Sequence, residues 1–125
     1  MGKAKVLYIE DNIDNLTLVR RVLEIEGYEV ISAETGQDGL DKVQTNHPDI
    51  VITDINLPDI DGYEITRILK SHNKTAHIPV VAMTANVMQK HRDNVAAAGC
   101  DGFISKPINI DELPDQVEHY LKGAV

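Results

Sequence analysis

Three short runs in this 125-residue chain are apolar almost without interruption: Val6-Leu7-Tyr8-Ile9, Ile50-Val51-Ile52 and Val80-Val81-Ala82-Met83. A strand with one wet face alternates apolar and polar residues; a run apolar at every position reads as a strand covered on both faces. The segments between the runs space their apolar residues at helical intervals, so that strands and helices alternate, five of each. Strict alternation of this kind argues for a parallel sheet with helices on both faces, a doubly wound (βα)5 three-layer sandwich. The length suits one domain with a core that needs no disulfide or metal staple. The reading is a single domain over 1–125 with its core at about 5–121.

Asn12 can cap a first helix that carries Leu16, Val19, Val22 and Leu23 inward and closes at Gly27. Residues 28–33 read as strand two, 35–46 as a helix ending before Pro48, and 49–53 as strand three. A loop, Leu57-Pro58-Asp59-Ile60-Asp61-Gly62, leads to a helix with Ile65, Ile68 and Leu69. Residues 78–83 read as strand four, 87–98 as a weaker helix (Val87, His91, Val95) ended by Gly99, and 102–105 as strand five. The last helix reads from Asn109, with Asn109 and Glu112 as a capping pair. Pro114 sits early in it and predicts a bend or a late start. Strands two and five carry Glu29, Ser32, Asp101 and Ser105, which suits the edges, and the order 2-1-3-4-5 meets this with right-handed crossovers. In a sheet of that order, ligands bind outside the carboxyl ends of the central strands.

Those ends carry the chemistry. Strand one stops at Glu10-Asp11, strand three at Asp54, strand four at Thr84 and strand five at Lys106-Pro107. Three carboxylates on adjacent strand ends repel one another, and a hard divalent cation relieves that repulsion. Mg²⁺ takes few protein carboxylates and keeps open positions, one of which can go to a phosphate oxygen. No glycine-rich phosphate cradle follows strand one; Glu10-Asp11-Asn12 stands there instead. The pattern therefore suits a metal first and a phosphoryl group second. Asp54, alone at the end of the central strand, is the best candidate for a carboxylate nucleophile that accepts a phosphoryl group. Lys106 and Thr84 would add the charge neutralisation and hydrogen bonds that phosphoryl transfer requires.

Composition removes other classes. A net charge of −8 opposes direct binding to nucleic acid or anionic membranes. No apolar stretch approaches a membrane span, and no signal peptide is visible, which suits the cytoplasm. Cys100 is the single cysteine, so no internal disulfide can form, and its surroundings suggest burial as a small hydrophobe. His47, His72, His77, His91 and His119 show no metal-ligand spacing and read as surface or packing residues.

Four segments together resemble the receiver domain of two-component response regulators over essentially the whole chain. They are Val6 to Asn12, Asp49 to Gly62, Ile78 to Ala85, and Ala98 to Pro107, in order and correctly spaced. The resemblance implies a flavodoxin-like sheet of order 2-1-3-4-5 and gives each matching position a role. Asp54 is then the phospho-acceptor; Asp11 and Asp54 ligate Mg²⁺ through side chains, Asn56 through its backbone carbonyl, and Glu10 through water. Lys106 pairs with the phosphoryl group, and its bond to Pro107 is cis. Thr84 and Phe103 switch with phosphorylation. The helix over 87–98, strand 102–105 and the last helix then form the surface that a partner reads. Gly62 closes the loop after the acceptor. The expected donor is a sensor histidine kinase or a histidine phosphotransfer protein, with a protein as downstream target. The expected oligomeric state is a monomer or a weak phosphorylation-linked dimer. Such a domain is no enzyme in the ordinary sense, catalysing only its own phosphorylation and slow hydrolysis.

The chain departs from the family pattern at Phe103, which has no hydroxyl where many relatives carry Tyr, and at Thr53, where a large apolar residue is usual. A small phosphohydrolase of the haloacid-dehalogenase type is the alternative from another class. Its second acid, two residues after the nucleophile, is replaced here by Asn56. A receiver domain cut from a hybrid kinase or a larger regulator would read the same way.

Overall fold

The computed structural model describes residues 4–85 and 97–122. One sheet holds five parallel strands: β1 (Lys5–Ile9), β2 (Glu29–Ala33), β3 (Ile50–Asp54), β4 (Val80–Thr84) and β5 (Gly102–Ser105). Their order is β2-β1-β3-β4-β5, as expected, with β2 and β5 at the edges. Four helices are described: α1 (Ile13–Ile25), α2 (Gly36–Asn46), α3 (Gly62–Ser71) and α4 (Leu113–Leu121). The helix expected over 87–98 lies outside the described residues except at its last two positions.

The uninterrupted apolar runs explain the layers. Successive strand residues face opposite sides. Val6 and Tyr8 of β1, Ile50 and Ile52 of β3 and Val81 and Met83 of β4 pack with Leu16, Val19 and Leu23 of α1 and with Leu113 and Val117 of α4. Leu7, Ile9, Val51 and Val80 pack on the other face with Val43 of α2 and with Ile65 and Leu69 of α3. All five residues of β3 and of β4 are buried. Each fully buried Val, Leu or Ile contributes about 1.5–3 kcal/mol, so the strands that carry the site are also the most strongly held.

Helix ends follow the local sequence. The Asn12 side chain accepts a hydrogen bond from Asn15 N and caps α1. Gly27, at φ 100°, turns the chain out of that helix, and Tyr28 N donates to Leu23 O. Thr35 and Asp61 cap α2 and α3 in the same way as Asn12. The last helix departs from expectation. It starts at Leu113 rather than Asn109, and Glu112 makes no side-chain cap. The Asn109 carboxamide instead accepts from Asp111 N and Glu112 N in a preceding turn. Pro114, in the first turn of α4, has no N–H to donate, and a first turn is where that loss is tolerated. Of the bend or late start expected from this proline, the chain adopts the late start.

Candidate functional site at the carboxyl edge of the sheet

Glu10 follows β1 directly and lies on the same face as Tyr8, two residues earlier. It is 1% exposed and ionisable, so it must be satisfied internally. Its Oε1 accepts from Tyr8 Oη at 3.0 Å, Lys106 Nζ at 3.0 Å and Asn15 Nδ2 at 3.3 Å. Its Oε2 accepts from Asn12 N at 3.3 Å. Asp54 is the last residue of β3, beside Met83 of β4, and is also buried. Lys106 Nζ stands 3.3 Å from Asp54 Oδ2, so one ammonium bridges the two acids. The Lys106 backbone N donates to Thr84 O at 2.7 Å, which ties it to the end of β4. The Lys106–Pro107 bond is cis. Asp11 is exposed, and its carboxylate lies with those of Glu10 and Asp54 such that one oxygen from each falls within 4.8 Å of the others.

The electrostatics follow from burial. Burial and the Glu10 charge push the Asp54 carboxyl up to about 6. Burial also pushes Glu10 up, but hydrogen bonds from Lys106 and Asp54 and the lysine charge outweigh it and hold Glu10 below its ordinary value. For Lys106 burial acts downward, and the Glu10 hydrogen bond and the Asp54 charge reverse it, leaving the ammonium harder to deprotonate. The Tyr8 phenol is pushed far up by burial and by Glu10, so it stays a donor.

The loop after β3 is built closely around the end of that strand. A Cβ on Gly62 would lie 2.6 Å from Asp54 O and 2.9 Å from Ile55 Cα, so α3 can start there only without a side chain. Gly62 N donates to Ile55 O, and the Thr53 hydroxyl donates to Asp54 O. The Asp59 carboxylate accepts from Gly36 N and Gln37 N, each at 2.8 Å, which ties the loop to the start of α2. Those backbone donors hold Asp59 below its ordinary carboxylate value. Asn56 lies exposed in this loop. Thr84 is buried at the end of β4. Phe103 faces a small cluster with Ile55 and Ala82 that also includes Tyr63 and Cys100. Cys100 itself is half-buried, with its thiol 3.3 Å from Thr66 Oγ1.

Glu10, Asp11, Asp54 and Lys106 are thus brought together, with Thr84 joined to Lys106 through the backbone. Phe103 lies one layer away in the Ile55–Ala82 cluster. The sequence reading missed Tyr8, Asn15 and Asp59. Tyr8 could have been found, since strand spacing puts it on the face of Glu10; nothing local marks Asp59. Of the described histidines, His47, His72, His77 and His119 are exposed.

Residues 6–118 match the response regulator receiver domain. The polar-differentiation response regulators DivK of Brucella ovis and Brucella suis are 38% identical over 119 residues, covering 95% of this chain and 97% of theirs. The chemotaxis response regulator CheY4 of Vibrio cholerae is 28% identical with a TM-score of 0.89, covering 93% of this chain and 97% of its own. The receiver domain of a sensor histidine kinase from Pseudomonas aeruginosa, solved with a magnesium ion coordinated in its active site cleft, is 28% identical. Its TM-score is 0.88, over 98% of this chain and 100% of its own. None of these relatives lends support to a haloacid-dehalogenase hydrolase. The match runs from β1 into α4, and the chain therefore belongs to the family of response regulator receiver domains.

Proposed function

We propose that this receiver domain takes a phosphoryl group from the phosphohistidine of a sensor kinase or phosphotransfer protein onto Asp54. The observation that carries the proposal is the half-buried Lys106 ammonium, shared between the buried Glu10 and Asp54 beside a third carboxylate, Asp11. An Asp54 oxygen forms the new P–O bond while the donor P–N bond breaks, and the donor imidazole leaves after taking a proton from solvent. Lys106 transfers a hydrogen bond to the phosphoryl oxygens, and Thr84 supplies a second one from the end of β4. Three carboxylate oxygens this close, all hard donors, fit Mg²⁺. Asp11, Asp54 and the Asn56 carbonyl would hold it, with Glu10 acting through water, and it would neutralise charge on the transferring group. The domain is then a switch rather than a turnover enzyme: Thr84 and Phe103 rearrange, and the surface over 87–98, β5 and α4 changes for a protein partner. The proposal covers residues 1–125 as one receiver domain, at work in the cytoplasm. Among the described residues no helix is long and apolar enough to cross a membrane.

The donor protein needs a place to dock. Leu18 and Ile13 of α1 are exposed large apolar residues, and Leu18, Asn15, Pro107 and Ile108 line a cavity of about 430 Å³ next to Lys106. That apolar rim beside the acceptor suits the face of a kinase or phosphotransfer helix.

Acetyl phosphate with Mg²⁺ should add one phosphoryl group, read by intact-protein mass spectrometry, and Asp54→Asn should remain unmodified. A wild-type protein that stays unmodified both with acetyl phosphate and with a phosphorylated histidine donor would sink the proposal.

A further inference from the structure

Tyr8 is a phenol in a strand whose other buried side chains, Val6, Leu7 and Ile9, are aliphatic. It is wholly buried, and its ring packs in the core beneath α1 and α4. An aliphatic residue could fill that volume with no polar atom to satisfy, whereas a buried hydroxyl must find a partner. The partner here is the buried acid of the site: Tyr8 Oη donates to Glu10 Oε1 at 3.0 Å, with Met83 Sδ 3.4 Å away as a weaker contact.

The donors to Glu10 are not equivalent. Lys106 is divided between Glu10 and Asp54 and must give one of those bonds to an arriving phosphoryl group. Asn15 holds Oε1 at a longer 3.3 Å from the partly exposed start of α1. Tyr8 alone comes from inside the core, on a ring that packing keeps from moving. It holds Oε1 at 3.0 Å, while Oε2 accepts the longer bond from Asn12 N at 3.3 Å.

We infer that Tyr8 is a positioning residue whose hydroxyl fixes the Glu10 carboxylate in the orientation that serves the metal and frees Lys106 for the phosphoryl group. Without that hydroxyl, a buried carboxylate loses a donor and holds Lys106 more tightly, away from Asp54. The inference rests on the proposed Mg²⁺ and phosphoryl site, and it concerns Glu10 rather than the acceptor.

The test is Tyr8→Phe, which keeps the ring and removes only the hydroxyl. Mg²⁺ titration followed by amide NMR should give a dissociation constant about tenfold weaker than wild type, as is typical when a ligand's hydrogen-bond partner is removed. The Mg²⁺ concentration for half-maximal phosphorylation should rise by the same factor, while the KM for acetyl phosphate stays put. A role in packing alone would lower the unfolding midpoint in EDTA and leave the Mg²⁺ constant within twofold of wild type; that result overturns the inference. A second measurement needs no variant. In wild-type protein labelled at tyrosine Cζ, the Tyr8 signal, assigned through the Met83 methyl, should shift on Mg²⁺ binding. An unmoved Tyr8 signal while Asp54 and Lys106 signals shift overturns it as well, and so does a wild type that binds no Mg²⁺. If Asp54→Asn still accepts a phosphoryl group, the acceptor assignment fails, and the comparison of Mg²⁺ constants still decides the role of Tyr8.

Discussion

Two lysine–carboxylate knots sit at opposite ends of the same sheet. At the amino edge, Lys70 Nζ pairs with Asp101 Oδ2 at 2.8 Å and also donates to Ala76 O and Ile78 O, while Asp101 Oδ2 accepts from Val80 N at 2.8 Å. One charge meets one charge, and backbone groups use the remaining hydrogen bonds. The side chains of Lys70 and Asp101 are 22% and 42% exposed, so water shares the cost. At the carboxyl edge, Lys106 meets Glu10 and Asp54, with side chains 1% and 9% exposed, and Asp11 adds a third acid. There the chemistry is unbalanced by design of the fold: buried negative charge exceeds what one lysine neutralises. The balanced knot is a staple, and the unbalanced one has the excess negative charge that the proposed cation and phosphoryl group would use.

The sharpest way to break that contrast is to remove each lysine. Lys106→Met should slow phosphorylation by acetyl phosphate about 10²–10³-fold, the usual loss when one preorganised donor to a developing charge is removed. Lys70→Met should leave that rate within about twofold and lower stability by about 1 kcal/mol in urea unfolding, the loss expected for a half-exposed pair with backbone hydrogen bonds. Equal rate losses in both variants would erase the distinction.

The acids offer the next test. Asp54→Asn should stabilise the metal-free fold at pH 7 by about 1–3 kcal/mol, because it removes a carboxylate whose charged form the site disfavours. Asp101→Asn should destabilise it. The sign also governs pH. Asp54 titrates near 6 in the fold against an ordinary 3.8, so the folded protein binds the extra proton and gains stability as pH falls from 7 toward 5. Glu10, held below its ordinary 4.5, works in the opposite direction, and its contribution is lost as pH falls further. Thermal unfolding in EDTA should therefore show a maximum near pH 5. In the presence of Mg²⁺ the affinity should drop about tenfold per pH unit below 6, as Asp54 takes up the proton that competes with the metal. A flat midpoint and a flat Mg²⁺ constant from pH 7 to 5 would deny that this end carries excess charge.

Gly62→Ala gives a smaller effect on the same end. Its Cβ would press on Asp54 O and Ile55 Cα, both backbone, and the shift should cost about 1–3 kcal/mol and displace Asp54. Circular dichroism melts and the phosphorylation rate check both consequences.

Much of this contrast was legible in the chain because chemistry-bearing residues stand at the ends of apolar runs. Once Val6 to Ile9, Ile50 to Thr53 and Val80 to Met83 are strands of one parallel sheet, Glu10, Asp54 and Thr84 must share an edge. Boundaries were less legible. β3 and β4 start later than expected, at Ile50 and Val80, and end one residue later, at Asp54 and Thr84, because the ladder continues where side-chain polarity suggests a loop. Asn109 and Glu112 have the spacing of a capping pair, yet the turn they form precedes the helix, whose first turn is where Pro114 fits. The role of Tyr8 was hidden because a tyrosine in a strand reads as core, and here it is both core and hydrogen-bond donor. Asp59 was hidden for a topological reason: its partners lie 22 and 23 residues back along the chain, and no local pattern announces them.

That bond from the loop after β3 to α2 matters for anyone recombining such domains. The loop bearing Asn56 is fastened to the amino end of the preceding helix, not only to its own strand. A chimaera joined between α2 and β3 would separate Asp59 from the backbone amides it was matched to. The natural module for exchange therefore runs from Thr35 to Ser71, with the helix and the loop inherited together.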